Sequence, residues 1–369
     1  MATRWRRRSA SRWPISSTAA ATITSATISR PTGRASRWHD RQFKTGREAG
    51  QPTASSGKQR RTEMSILTTA GRAIALASAL LGGTYAVLAA DLKIGPNSTP
   101  LSVDASADLA GKVPDAFKGG ALKIATDPSS PPYTYYQADG QTLVGADIDL
   151  GNAVAAKLGL KAEWSAVKFP GIIAAIEAKR FDTALTGMGD TPAREQKLDF
   201  VDYSTDGNAI VVLKGNPLAI KTIADLCGKH VAVLQGSVMQ GLVEKQDGKC
   251  ADKKIDIQVF QDINQALLQV RTKRADATMY QYGVAAYVIQ TSPDAAGLEV
   301  LAFEQYGTGY NAMPFRKSDS ALRDAVQAAL TEMKADGSYE KILTAWGMQA
   351  NGLEKITVND GLRFNQPSN

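Results

Sequence analysis

Few residues in this chain are equipped for chemistry. Its 369 residues include two histidines and two cysteines, and beyond residue 63 only His230 remains of the histidines. Neither Cys227 nor Cys250 has a CxxC neighbour. A zinc or iron centre needs three or four clustered Cys, His or carboxylate ligands, so no metal and no cofactor is expected. A GxSxG elbow, a Walker A loop, a GxGxxG turn and an HExxH pair are all missing, which leaves the best-marked hydrolase, NTPase, dinucleotide and metalloprotease chemistries without their signatures. His230 opens a predicted strand, where a structural role outweighs acid–base work, and no enzyme is expected. Long apolar runs are also missing: the stretch from Ala73 to Leu81 is soon broken by Gly82, Gly83 and Thr84, too short for the roughly 20 residues that span a bilayer.

Positive charge is abundant, but it is concentrated at one end. The net charge is +7, yet residues 1–63 hold 14 Lys and Arg against 3 acids, and residues 64–369 hold 29 against 33, a net −4. The body therefore presents no basic surface for nucleic acid, and residues 1–63 read as a disordered basic tail or as translation from an upstream start. Residues 64–90, MSILTTAGRAIALASALLGGTYAVLAA, have the single Arg, apolar centre and small residues of a secretory signal peptide, with cleavage expected near Ala90 or Asp91. In an oxidising compartment Cys227 and Cys250 should pair. A loop of that size contributes roughly 3 kcal/mol on crosslinking.

The body alternates β-rich runs with amphipathic stretches, which points to α/β layers with mostly parallel strands. Strands are predicted at 121–126, 162–167, 183–187, 210–214, 230–235, 255–260 and 277–280, with helices between them, and the Gly215-Asn216-Pro217 break divides two units in series. A final helix carries Leu322, Val326, Leu330 and Met333 on one face.

The segment Leu185–Tyr203, LTGMGDTPAREQKLDFVDY, reads as an anion site. Thr191 suits an N-cap and Pro192 the first helical position, which puts Arg194 in the first turn against the helix dipole. That misfit suits a carboxylate held by a guanidinium fork and free N–H groups; the alternative is a surface arginine paired with Glu195 or Asp199. Gly187 and Gly189 allow close approach of a ligand. Ser237 follows Gly236 between a strand and a helix, as a second anion half-site or an ordinary cap. Tyr133, Phe169 and Tyr280 provide aromatic walls or core, and Asp127 either meets a cationic group or caps the turn before Pro128.

Six stretches resemble the extracytoplasmic solute-binding proteins of polar amino-acid ABC importers, family 3: LKIATDPSSPPYTY, LVGADIDLGNAVAAKLG, FPGIIAAIEAKRFDTALTGMGDTPAREQKLDFVDY, DLCGKHVAVLQGS, RADATMYQYGVAAY and ALRDAVQAALTEMKADGSYEKILTAWG. They lie in family order over roughly 119–347. The resemblance implies a type II periplasmic-binding-protein clamshell: 91–118 as an extended N-terminal linker, lobe 1 from 119–213 and 305–350, lobe 2 from 214–304, two crossover hinge strands, and a tail at 351–369. It implies that Arg194 grips a ligand carboxylate with help from the Val238 N–H, that the Gly187 carbonyl accepts from the α-amino group, and that Asp127, Phe169 and Thr186 line the side-chain pocket. Two positions depart from the family pattern. Gly189 stands where a Ser or Thr is usual, and Gln281 where an Asp usually pairs with the ammonium. The expected function is capture of an amino acid or amino-acid-like carboxylate by a periplasmic monomer that delivers it to a membrane permease. The alternatives are a dehydratase-like enzyme using Asp127 or Glu304 as its acid, and a ligand-sensing protein.

Overall fold

The computed structural model describes residues 89–301 and 306–364. The basic tail, the signal segment up to residue 88, Glu304 and residues 365–369 lie outside the described residues. Among the described residues no helix is long and apolar enough to cross a membrane.

The described chain opens on an antiparallel hairpin, β1 (Ala89–Ile94) and β2 (Thr99–Asp104). α1 (Ala107–Lys112) follows, capped by the Ser106 hydroxyl, which accepts from the Leu109 N–H. The segment 91–118 is therefore not the extended linker its sequence suggested. Leu101 and Val103 alternate inward along β2, and with Leu109 and Val113 they are buried. Docking this surface gains about 25 cal/mol per Å², which an extended segment forgoes.

One lobe begins with β3 (Ala121–Thr126), the short strands β4 (Ser129–Ser130), β5 (Thr134–Tyr136) and β6 (Leu143–Val144), and α2 (Ala146–Lys157). It continues through β7 (Lys161–Ala166), α3 (Ile172–Glu177), β8 (Thr183–Ala184) and the single turn α4 (Pro192–Glu195). β3 lies between β7 and β8 and is parallel to both. β9 (Leu198–Leu213) then runs for 16 residues, starting far earlier than the predicted strand at 210.

The second lobe contains β10 (His230–Leu234), α5 (Val238–Asp247), β11 (Asp256–Phe260), α6 (Ile263–Arg271), β12 (Ala277–Gln281), α7 (Tyr282–Thr291) and β13 (Leu298–Val300). β10 is parallel to β11 and β12. β14 (Tyr306–Arg316) returns the chain to the first lobe, which α8 (Ser320–Ala335) and α9 (Ser338–Ala345) complete. On α8, Leu322, Val326, Leu330 and Met333 are all fully buried, as their spacing predicts.

β9 belongs to both lobes. Its first half pairs antiparallel with β14, from Leu198 opposite Arg316 to Asp206 opposite Gly309. Its second half pairs with β12, from Asn208 opposite Gln281 to Val212 opposite Ala277, and with β13. β9 and β14 are thus the two crossovers, and the interlobe cleft lies at the carboxyl ends of β8, β10 and β12, where open α/β sheets bind ligands.

Cys227 and Cys250 form a disulfide with Cα atoms 5.6 Å apart. It ties the approach to β10 to the end of α5. The double variant Cys227→Ser/Cys250→Ser should unfold at lower urea, with a loss of about 3 kcal/mol and unchanged ligand affinity; an unchanged urea midpoint would show that the crosslink does not staple this lobe.

Candidate functional site

After β8 the chain passes beneath the cleft as Leu185-Thr186-Gly187-Met188-Gly189. Gly187 has φ +59°, a left-handed conformation that glycine adopts without strain. Its N–H donates to Asp147 Oδ2 at 2.9 Å, and its carbonyl accepts from Gln281 Nε2 at 3.0 Å across the cleft. A Cβ at Gly187 would come within 3.1 Å of Gln281 Oε1, so the side chain is excluded by the opposite lobe as well as by the backbone.

Gly189 has a different reason. A Cβ there would meet Val238 Cγ2 at 3.1 Å, with Arg194 Nη1 at 3.6 Å. A Ser or Thr at 189 would thus press on the Val238 side chain of the other lobe, which would have to shift by a few tenths of an ångström.

Thr191 caps α4 as expected, its hydroxyl accepting from the Arg194 N–H. However, α4 is one turn long, and the Arg194 and Glu195 N–H groups both donate to the Thr191 carbonyl. A single turn has few aligned peptides to sum into a dipole, so α4 lends little helix support at this position. That guanidinium lies 5.6 Å from the centre of the Phe169 ring and donates to two carbonyls, Gly189 O and, from the other lobe at 2.9 Å, Gly236 O. Asp199 instead pairs with Lys317 and Arg323, and Glu195 accepts from the Gly361 N–H. Burial pushes Arg194 down to about 10, against the raising effect of the nearby Asp190 carboxyl, so it stays charged at neutral pH.

Opposite Arg194 is the start of α5. Ser237 is its N-cap, accepting from the Gln240 N–H. The N–H groups of Val238 and Met239 belong to the first turn and have no acceptor within the helix. The second half-site expected at Ser237 has a ten-residue helix behind it.

The cavity of about 100 Å³ between these groups is several times what one water needs. Phe169, Thr186, Gly187, Gly189, Arg194, Ser237, Val238 and Gln281 all line it, as does Tyr280. Asp127 and Tyr133 do not appear on its wall. Asp127 is buried behind Phe169, accepting from the Phe169 N–H at 2.8 Å while its own N–H donates to Thr186 Oγ1 at 3.0 Å, and burial raises its carboxyl pKa. It positions two wall residues. Tyr133 is fully buried, with its hydroxyl donating to Asp206 Oδ2 and accepting from Asn311 Nδ2.

Asp206, Asn208, Asn311, Asp190 and Gly361 also line the cavity, and the sequence reading missed all five. Asp206 and Asn208 lie inside β9, in a TDGN stretch that reads as a turn, and Asn311 lies on β14. Gln281 Nε2 also donates to Asn311 Oδ1 at 2.9 Å, and Asn311 donates to Tyr133 and to Ser204. Asp190 and Asp202 are both raised, chiefly by burial and then, at Asp190, by neighbouring carboxylates; each has one oxygen with no other partner, the arrangement of a pair sharing a proton. Besides the Arg194 and Gln281 bonds, the cleft is crossed by the Lys168–Asp262 ion pair and by Tyr280, whose hydroxyl donates to Ser129 O at 3.0 Å. Among the described residues no group of three His, Cys, Asp or Glu is disposed to hold a metal.

Comparison with known proteins agrees with this geometry. The model for bacterial extracellular solute-binding proteins, family 3, matches residues 122–349. The L-cystine-binding protein TcyA of Bacillus subtilis is 31% identical over 229 residues, 62% of this chain and 82% of that protein. The lysine/arginine/ornithine-binding periplasmic protein of Escherichia coli is 29% identical over 228 residues, 60% of this chain and 85% of that one. An ancestral arginine-binding protein, solved bound to arginine, superposes with a TM-score of 0.57 at 35% identity, covering 62% of this chain and 98% of its own. An ancestral amino acid-binding protein described as a precursor of cyclohexadienyl dehydratase gives 0.55 at 33%, covering 62% and 95%.

Proposed function

The chain belongs to the bacterial extracellular solute-binding proteins of family 3, and from that premise we propose that it captures an amino acid or amino-acid-like carboxylate between its lobes and hands it to an ABC permease in the inner membrane. One observation carries the carboxylate: Arg194 faces the cleft cavity opposite the first turn of α5, and its guanidinium hydrogen bonds go only to carbonyls. A carboxylate would give it two parallel charge-assisted bonds. The relatives above, named for cystine and for lysine, arginine and ornithine, support an amino-acid ligand.

Segment 64–90 supports export, and a disulfide is at home in the periplasm. We read the chain as a monomer. Lobe 1 is read as 119–213 with 305–350 and lobe 2 as 214–304, and closure about β9 and β14 is a population shift driven by contacts made only when the lobes meet. The test is calorimetry on protein unfolded in guanidinium and refolded to strip carried ligand. Saturable 1:1 binding of L-arginine, L-glutamine, L-histidine or L-cystine is expected. Binding of none of them, with no carboxylate in an acid extract of the native protein, would sink this reading.

An enzyme on the same scaffold is favoured by one feature, the raised carboxyl of Asp190 on the cavity wall. Yet its Oδ2 accepts from the Gly361 N–H at 3.1 Å, and its proton is held toward Asp202. Asp127 stands behind the wall. Ligand recovered unchanged after long incubation is expected; a changed mass would favour the enzyme.

A further inference from the structure

We propose that Asp206, on the crossover strand β9, holds the ligand's ammonium in place of the acid absent at position 281; this rests on reading the cavity as an amino-acid site. Asp206 lines the cavity, and its bonds all come from neutral donors. Its Oδ2 accepts from the Tyr133 hydroxyl at 2.9 Å, and its Oδ1 from the N–H groups of Gly207 at 2.8 Å and Gly283 at 3.4 Å. Among the described residues no Lys, Arg or His pairs with it. Gly283 belongs to the first turn of α7, so the helix N-terminus favours the ionised carboxylate. Burial nevertheless pushes it up to about 6, which is how a charge behaves when no counter-ion offsets its desolvation.

Asp206 and Arg194 are therefore charges of opposite sign facing one cavity; Asp206 meets no cation, and Arg194 has only the raised carboxyl of Asp190 near it. Buried charges need partners, and a zwitterion supplies both at once. Gln281 weakens the alternative anchor. Its amide nitrogen already donates to the Gly187 carbonyl, and flipping the amide would set oxygen against oxygen, so an amine there finds a shared, neutral acceptor with one lone pair left and no charge to meet it. Asp127, the other acid expected near the ligand, is behind the wall. The ammonium is thus directed to the hinge side of the cavity, and the ligand is an amino acid with a free amine.

The test compares L-arginine, L-glutamine and L-histidine with their N-acetyl derivatives, whose amines are masked, on stripped wild type and on Asp206→Asn, by calorimetry. Wild type should bind at least one free amino acid and prefer it to its acetylated form. Asp206→Asn should weaken the free form roughly 2- to 30-fold, the difference between a charge-assisted and a neutral bond, while leaving the acetylated form unchanged. This loss of discrimination is a readout that mere misfolding would not give, and circular dichroism and melting confirm the fold. Asp206→Asn binding the free amino acid as wild type does, or wild type binding the acetylated forms equally well, would overturn the proposal and leave the carboxylate reading intact. Failure of wild type to bind either series would overturn that reading and this proposal with it.

Discussion

Arg194→Ala should leave ligand binding undetectable by calorimetry, a loss of at least roughly 100-fold, in a protein that still folds. Hydrogen bonds to charged groups contribute about 1.5–3 kcal/mol each, and a guanidinium offers a carboxylate two of them. Alanine removes both and leaves the first turn of α5 as the remaining anchor. The fold should tolerate the change because Arg194 carries no ion pair that its removal would orphan. It gives up contact with the Phe169 ring, worth about 0.5–1 kcal/mol, and bonds to the Gly189 and Gly236 carbonyls, while a desolvated charge disappears. A melting temperature near that of wild type together with lost binding is the expected pair of results. Undiminished affinity would remove Arg194 from the site.

The second large effect is a fall in stability between pH 4 and pH 7. Burial raises Asp147 to about 7, against the lowering effect of bonds from Tyr203 and the Gly187 N–H. Below about pH 4 the folded and unfolded forms are both protonated, and the stabilisation is complete. As pH rises, the unfolded chain releases a proton that the folded protein keeps, and stability is lost until pH passes the folded value. Three units correspond to on the order of 4 kcal/mol, or a fall of roughly 8–16 °C in melting temperature for a domain of this size. Asp206 and the Asp190–Asp202 pair act in the same direction. On the acid side Asp199, where burial is outweighed by bonds from Asn359, Lys317 and Arg323, lies below its ordinary value and loses its contribution as pH falls. Melting from pH 4 to 8 should therefore peak near the acid end, and Asp147→Asn, whose amide oxygen can still accept from Gly187 and Tyr203, should flatten the slope. A flat wild-type profile would contradict the buried, protonated state of Asp147.

Much of this arrangement is legible in the order of residues alone. Asp262, Ser237 and Thr191 each announce a helix start, and all three prove to be caps whose side chains accept from the first turn. The four-residue spacing of α8 places its buried face correctly. β9 is less legible. Its second half is an apolar run, but its first half, LDFVDYSTDG, mixes acids and hydroxyls with aromatics in a way that no period of two or 3.6 describes. Those residues are buried because β14 and the chain beyond α9 cover them; Asp202, for instance, accepts from the Thr357 hydroxyl at 2.7 Å. Contacts between positions more than a hundred residues apart leave no local pattern to read.

Composition, cysteine pairing and the order of strands and helices are determined by the sequence itself, because each depends on residue type and short-range spacing. The carboxylate-binding role proposed for Arg194 is legible for the same reason, although its supposed helix support is not. What the tertiary structure alone decides is which charges go unanswered. Asp199 finds Lys317 and Arg323, whereas Arg194 hydrogen-bonds only carbonyls and Asp206 only neutral donors. An ion's need for a partner is set by what the fold brings within about 4 Å of it, and that distance is not written in sequence separation.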